Sequence, residues 1–289
     1  MKVAGLGEFG LLERIKPFLS AQAGQDDAAL LEDTGGDFTV ASCDMFVEGV
    51  HFDLAWMSAE DAGWRSMALA LGDLAAKGAT PWWALTSIAI PNTWAVEHLT
   101  GLYAGMAELA RKTQVLMAGG DMSSTDGPAV LSITVVGRSE MRPLARSEAQ
   151  AGWAVAVTGP LGASAVALRG RRPLRLWPLL DEGRRLNRAG LSCGDISDGL
   201  LREMDKFVAF SGCGCVIRAA EVPVAEGATL EEALTSGEEA DLVCVGPEEL
   251  VRAAGLHPIG YLTDDSSVQV LGADGMPLQL EQSGYDHFA

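Results

Sequence analysis

Asp73 interrupts the run Met67-Ala68-Leu69-Ala70-Leu71-Gly72-Asp73-Leu74-Ala75-Ala76, and that one residue limits what this 289-residue chain can fold into. The run has a helical pattern. Ser58 followed by Asp61 forms a capping box, apolar residues recur through Trp64, Met67, Ala68 and Leu71, and Gly78 then Pro81 stop it. A helix this apolar belongs in a core, where a carboxylate is costly unless paired or bound to metal. Either the fold brings a partner to Asp73, or the helix turns it outward and Lys77, four residues on, completes an ordinary surface pair. For Asp73 taken alone, the surface pair is the simpler reading.

Other aspartates occupy similar settings: Asp26-Asp27, Asp44, Asp121, Asp195 and Asp198. Asp44 follows the β run Phe38 to Ser42, Asp121 follows Val115 to Met117 with Gly119-Gly120 between, and Asp195 and Asp198 precede a helix. Strand ends and helix starts are where α/β proteins hold ligands. A carboxylate at a helix N-terminus, worth about 0.3–1 kcal/mol, explains one of these residues or two. It does not explain acidic sites spread over both halves, each close to small residues that let a ligand approach.

The formal net charge of −18 argues against binding nucleic acid, whose phosphates are held by Lys and Arg. It leaves phosphate ligands open, because Mg²⁺ bridges carboxylates to phosphate oxygens. The hydrophobic content of 48% is that of a globular chain, and no apolar stretch approaches the roughly 18 residues of a membrane span. Met1-Lys2-Val3-Ala4-Gly5 leads straight to Glu8 and Phe9 with no signal-like apolar region, so a cytoplasmic protein is expected. The 5 cysteines include no CxxC pair and read as reduced thiols.

Helices and strands mix throughout, predicting an α/β or α+β fold with two domains, 1–140 and 150–289, joined through the polar stretch Arg138 to Gly152. Strands are predicted near 38–47, 84–90, 115–117, 129–136, 153–157, 214–218, 241–245 and 257–262. A hairpin signal marks Ala273-Asp274-Gly275. Gly5-Leu6-Gly7-Glu8-Phe9-Gly10 matches the dinucleotide fingerprint but lacks a buried strand before it. Gly159 to Ser164 reads equally as a plain strand-to-helix turn or as a phosphate cradle.

Taken in order, these blocks resemble the thiamine-monophosphate kinase family, within the superfamily of aminoimidazole-ribonucleotide synthetase-like ATP-binding enzymes. The resemblance rests on Gly7-Glu8-Phe9, Asp26-Asp27-Ala28-Ala29, Ser42-Cys43-Asp44, Glu48-Gly49-Val50-His51-Phe52 and Gly72-Asp73-Leu74-Ala75-Ala76-Lys77-Gly78-Ala79. It continues through Gly119-Gly120-Asp121, Asp195-Ile196-Ser197-Asp198-Gly199-Leu200, Ser236-Gly237-Glu238-Glu239 and Gly284-Tyr285-Asp286-His287-Phe288. It implies a homodimer whose N-terminal domains build a shared β-barrel, with the active site in a cleft between domains. It also implies ATP-dependent phosphorylation of thiamine monophosphate. Asp27, Ser42, Cys43, Asp44, Asp73, Asp121, Asp195 and Asp198 would hold several Mg²⁺ ions, with Cys43 in place of a threonine. Gly120, Asp121, Arg146 and Ser197 would meet ATP, and His51, Glu239 and Tyr285 the thiamine phosphate.

Three departures stand out: Gln25 before the double aspartate, a shortened stretch around 172–180, and Glu238 with Ala240 where the pattern has glycine and aspartate. A glutamate beside Glu239 either attracts the thiazolium cation or crowds it. Crowding is the expectation, since glycine there would let the backbone approach the ligand. A related ATP-dependent enzyme with another acceptor and a nucleotide-binding homologue without turnover both remain open alternatives.

Overall fold

The structure, a computed structural model, describes residues 6–20, 26–33, 35–280 and 282–288; Gly5 and Gln25 lie outside that set. In chain order its elements are α1 (Gly7–Ile15), β1 (Ala29–Glu32), β2 (Phe38–Val47), α2 (Ala59–Ala76), β3 (Thr80–Pro91), α3 (Val96–Thr113), β4 (Leu116–Thr125) and β5 (Val130–Ser139). Then come β6 (Ala154–Val157), α4 (Ala163–Arg169), α5 (Leu180–Arg188), β7 (Ser192–Asp195), α6 (Leu200–Ser211) and β8 (Gly214–Arg218). The chain closes with α7 (Leu230–Thr235), β9 (Leu242–Gly246), α8 (Glu248–Ala253), β10 (Pro258–Thr263) and β11 (Val268–Leu271).

A 5-stranded sheet has the order β1-β2-β5-β3-β4, with β3 and β4 parallel and the other pairs antiparallel. A 6-stranded sheet has the order β11-β8-β10-β6-β9-β7, with only β11 and β8 parallel. The fold is therefore mixed α/β. Within one chain the first sheet is open, with β1 and β4 at its edges, so the implied barrel is not closed by a single copy.

Helix α2 holds these parts together. Ser58 caps it, accepting the Asp61 N–H at 3.0 Å, and the helix ends before Gly78, whose φ of +58° suits glycine. Its residues are buried on nearly every side. It packs against α3 and the first sheet on one side and against α5 and β7 on the other. The larger hydrophobic core accordingly joins Leu71, Leu74 and Ile133 to Leu186, Leu191 and Leu242. A second core, with Leu161, Leu201, Phe207, Ile217 and Leu262, lies under the 6-stranded sheet. The sheets fall on either side of the 140–153 connection, whereas the larger core crosses it.

Two local differences from the sequence reading bear on the site. β4 does not stop at Met117 but runs on through Gly119-Gly120-Asp121. A Cβ at Gly120 would lie 1.8 Å from the Thr86 carbonyl oxygen, so this glycine marks a close approach to β3 rather than a turn. Asp195 ends strand β7, which Gly194 and the lack of apolar alternation hid.

Gly183 of α5 faces the C-terminal turn of α2, where an added Cβ would lie 1.9 Å from the Ala75 carbonyl oxygen. Gly183→Ala is expected to lower the unfolding free energy by about 2 kcal/mol by forcing α5 away from α2. Urea denaturation with an unchanged m-value would register this loss.

Candidate functional site

Four segments converge near the C-terminal end of α2. The helix itself supplies Asp73, β2 supplies Ser42 and Asp44, β7 ends at Asp195, and the segment before β1 brings Asp27. Side chains alternate along a strand, so Ser42 and Asp44 share one face of β2. The Ser42 hydroxyl contacts Asp73 Oδ2 and lies 3.2 Å from the Asp27 carbonyl oxygen. Asp27, Asp73 and Asp195 each place a carboxylate oxygen within 4.8 Å of the others.

This clustering has an electrostatic cost. Burial pushes the Asp44 carboxyl up to about 7, with the Asp195 charge adding to the shift. Burial also raises Asp73 well above the usual carboxylate range, helped by Asp44 and Asp195, and it raises Asp195 in turn.

The surface-pair reading of Asp73 and Lys77 does not hold. Lys77 is 2% exposed, and its ammonium group reaches Asp26 and the Cys193 carbonyl (2.9 Å), with Asp27 Oδ2 at 3.6 Å. Arg146 is equally buried, paired with Asp27, with Glu203 at 2.5 Å and with Asp26 at 3.5 Å. Here it neutralises a candidate metal ligand instead of lining the cavity.

A cavity of about 810 Å³ opens beside the cluster. Asp44, Asp195, Ser197 and Asp198 line one part, and Lys206 lies 3.4 Å from Asp198. Phe46, His51, Tyr285 and His287 line another. His51 stacks on His287 with ring centroids 5.1 Å apart, and Tyr285 meets His287 edge-on at 4.8 Å. Val47 donates its N–H to His51 Nδ1 at 3.0 Å, so the neutral ring carries its proton on Nε2. Burial lowers the His51 pKa and favours that neutral form.

Several expected residues are placed differently. Cys43 borders the cavity, but its Sγ turns to the opposite face of β2 from Asp44, 3.3 Å from the Ser132 hydroxyl, as strand alternation requires. Across the sheet, Asp44 aligns with Ile133, Thr86 and Gly120, whereas Asp121 aligns with Ser87, Ser132 and Met45. Ile133 and Thr86 are buried and Met45 is 60% exposed. Asp121 thus belongs to the open face, about 14 Å of sheet from β2 at ~4.8 Å per strand, and Gly120 shares its edge strand. Glu239 is 4% exposed and accepts the N–H groups of Gly162 (2.9 Å) and Ser164 (3.2 Å). The proposed phosphate cradle at Gly159 to Ser164 is therefore filled by a carboxylate of the protein, which draws Glu239 out of the cavity lining.

The donor set fits a hard divalent cation. Asp27 Oδ2 is buried and accepts no hydrogen bond from the described residues, and the neighbouring carboxylates repel one another. Clustered carboxylate oxygens suit Mg²⁺.

The comparisons with known proteins agree with this geometry. The profile of the AIR synthase related protein, N-terminal domain, matches residues 25–139. The thiamine-monophosphate kinase of Rhodopirellula baltica is 36% identical over 78% of this chain and 76% of its own length. The chain belongs to the thiamine-monophosphate kinase family. The Bacillus subtilis member is 32% identical over 98% of this chain and 100% of its own. A solved structure of AaThiL complexed with AMPPCP and TMP superposes with a TM-score of 0.89, at 27% identity, covering 99% of each chain.

Sequence reasoning missed several groups at this family site. His287 lies within the Gly284–Phe288 block but was not singled out, although a histidine next to Tyr285 was a visible signal. Arg65 lies on α2 and Lys206 on α6, and nothing in the sequence ties either one to the cavity. Glu238 lines the cavity wall, where Arg65 pairs with its Oε2.

Glu239 also gives a pH signature. Burial raises its carboxyl to about 7 against an ordinary 4.5, despite the two N–H donors. The folded state then holds this proton more tightly than the unfolded chain, so its contribution to stability falls as pH rises from about 4.5 to about 7. In chelator, Glu239→Gln is expected to flatten the pH dependence of the unfolding free energy across that window. An unchanged slope would show that Glu239 is ionised throughout.

Proposed function

We propose that this chain transfers the terminal phosphoryl group of ATP to the phosphate of thiamine monophosphate, forming thiamine diphosphate. The observation that carries the reading is the convergence of Asp27, Asp44, Asp73 and Asp195 beside a cavity of about 810 Å³ with an aromatic wall. That volume lies within the ~300–1,000 Å³ typical of ligand sites.

Joining two phosphates requires two anions to approach, and phosphoryl transfer depends mainly on positioning and charge neutralisation. Mg²⁺ held by Asp27, Asp44, Asp73 and Asp195, with Ser42 and Asp198 close by, would neutralise the phosphate oxygens. Ser197 lines the cavity where ATP would pass, and Arg146 pairs with Asp27 in the acidic cluster beside it. A phosphate monoester has its second pKa near 6, so the attacking oxygen is mostly deprotonated at pH 7 and needs no strong protein base. His51 Nε2–H and Tyr285 are the donors placed to hold the acceptor, with the Tyr285 ring available for stacking.

A homodimer completes the reading. The open face of the first sheet exposes Met45 and Leu85 beside the unpaired edge of β4, a surface a second copy would cover while closing a barrel. Gly120 and Asp121 lie on that edge strand and would act there, in a site built with the partner copy. The separation of the sheets at residues 140–153 supports two domains, 1–140 and 150–289, in each copy. With no helix of the described residues long and apolar enough to cross a membrane, the reading is of a cytoplasmic enzyme.

Incubation with ATP, Mg²⁺ and thiamine monophosphate should yield thiamine diphosphate, and Asp73→Asn should lower kcat by at least ~10²-fold while the protein stays folded. Normal turnover in that variant would remove Asp73 from the metal set. Light scattering at micromolar concentration should give the mass of a dimer. A stable monomer would contradict the shared barrel.

A further inference from the structure

Glu238 adopts φ +58°, a left-handed conformation that a non-glycine residue keeps only where its contacts over-determine it. Those contacts are present. Its N–H donates to the Ser197 carbonyl at 2.7 Å, its carbonyl accepts from the Ser164 hydroxyl at 2.6 Å, and its Oε2 pairs with Arg65 of α2. Arg65 is itself buried, so the carboxylate is fixed in position. Among the described residues, no group donates a hydrogen bond to Oε1 of Glu238.

The fixed carboxylate stands on a boundary. A side cavity of about 160 Å³ adjoins the main one, and the two share Val50, His51, Ser164, Leu168 and Glu238 as walls. The side cavity is mixed in character: Phe52, Trp56, Met57 and Leu174 supply its apolar walls, and Asp53, Arg65 and Arg172 its charged ones. Its volume of about 160 Å³ leaves room for a benzene-sized ring, which needs ~150 Å³. An aromatic ring seated there would place its edge against Glu238, with the rest of the molecule reaching past His51 toward the aspartates.

We propose that Glu238, positioned by Arg65, selects acceptors bearing an amino group on a small aromatic ring: the ring enters the side cavity and the amine donates to Glu238 Oε1. The inference rests on thiamine monophosphate as the acceptor, since its aminopyrimidine is such a ring. It makes Glu238 a specificity-determining residue and assigns it attraction rather than crowding. Hydrogen bonds to a charged acceptor are among the stronger ones, and a site built to pair a polar group rejects the analogue lacking it.

The test compares thiamine monophosphate with oxythiamine monophosphate, which carries an exocyclic oxo group on the pyrimidine in place of the amine. KM, kcat and calorimetric affinity would be measured for the wild type, Glu238→Gln and Glu238→Gly; glycine suits this φ and guards against a folding defect in the first variant. Both variants should raise KM for the amine about tenfold with kcat within about twofold, leave the oxo analogue unchanged, and so abolish the preference. Arg65→Met should behave likewise, and Arg65→Lys should retain most of the preference. A preserved preference in Glu238→Gly, or a lowered KM, would overturn the proposal while leaving the phosphoryl transfer standing. If the wild type neither binds nor converts thiamine monophosphate, the acceptor assignment fails, and this inference falls with it.

Discussion

Mutual repulsion among buried carboxylates is the constraint around which this molecule is organised. Asp73 is enclosed within α2, and Asp44 and Asp195 are brought against it from β2 and β7. Two cations answer part of this charge: Lys77 and Arg146 pair with Asp26 and Asp27, and Arg146 also takes Glu203. Lys206 answers Asp198 and Glu203. Burial raises Asp44, Asp73 and Asp195, so protons bind them more readily than ordinary carboxylates. A fold that keeps such a cluster beside a cavity forgoes stability in the free state.

The rest of the architecture follows from holding that cluster rigid. α2 is nearly all core because it must support Asp73 from both sides, and close helix contacts such as Gly183 against Ala75 leave it no room to shift. The cavity then changes character along its length. Acidic groups gather at the α2 end, whereas His51, His287 and Tyr285 form an aromatic wall elsewhere. A substrate with a phosphate at one end and a heteroaromatic ring at the other matches that gradient, with the neutral His51 donating between them.

Much of this was legible in the sequence because it is local. The Ser58 cap, the apolar run of α2 and the strand at Phe38–Val47 all follow from short-range pattern, and they appear where that pattern put them. Asp73 alone favoured a surface pair with Lys77, and only the set of aspartates together pointed to a ligand site. What stayed hidden depends on strand parity and distant packing. Cys43 and Asp44 are neighbours in sequence yet face opposite sides of β2, and Asp121 lies on the open face because β4 continues through its glycines. Glu239 caps α4 and Lys77 spans to the segment before β1, pairings fixed only once the two sheets come together around α2.

The account turns on the cluster being relieved by a divalent cation. The most direct measurement is the thermal unfolding of wild type and Asp73→Asn at pH 7, in chelator and then in millimolar Mg²⁺ alone. In chelator the variant should melt above the wild type, because it lacks one buried repulsive charge. Mg²⁺ should then raise the wild-type melting temperature by several degrees and the variant's by less, as binding to the folded state alone requires. A wild type that melts identically with and without Mg²⁺, together with a variant that melts lower in chelator, would contradict the account and make Asp73 a structural residue.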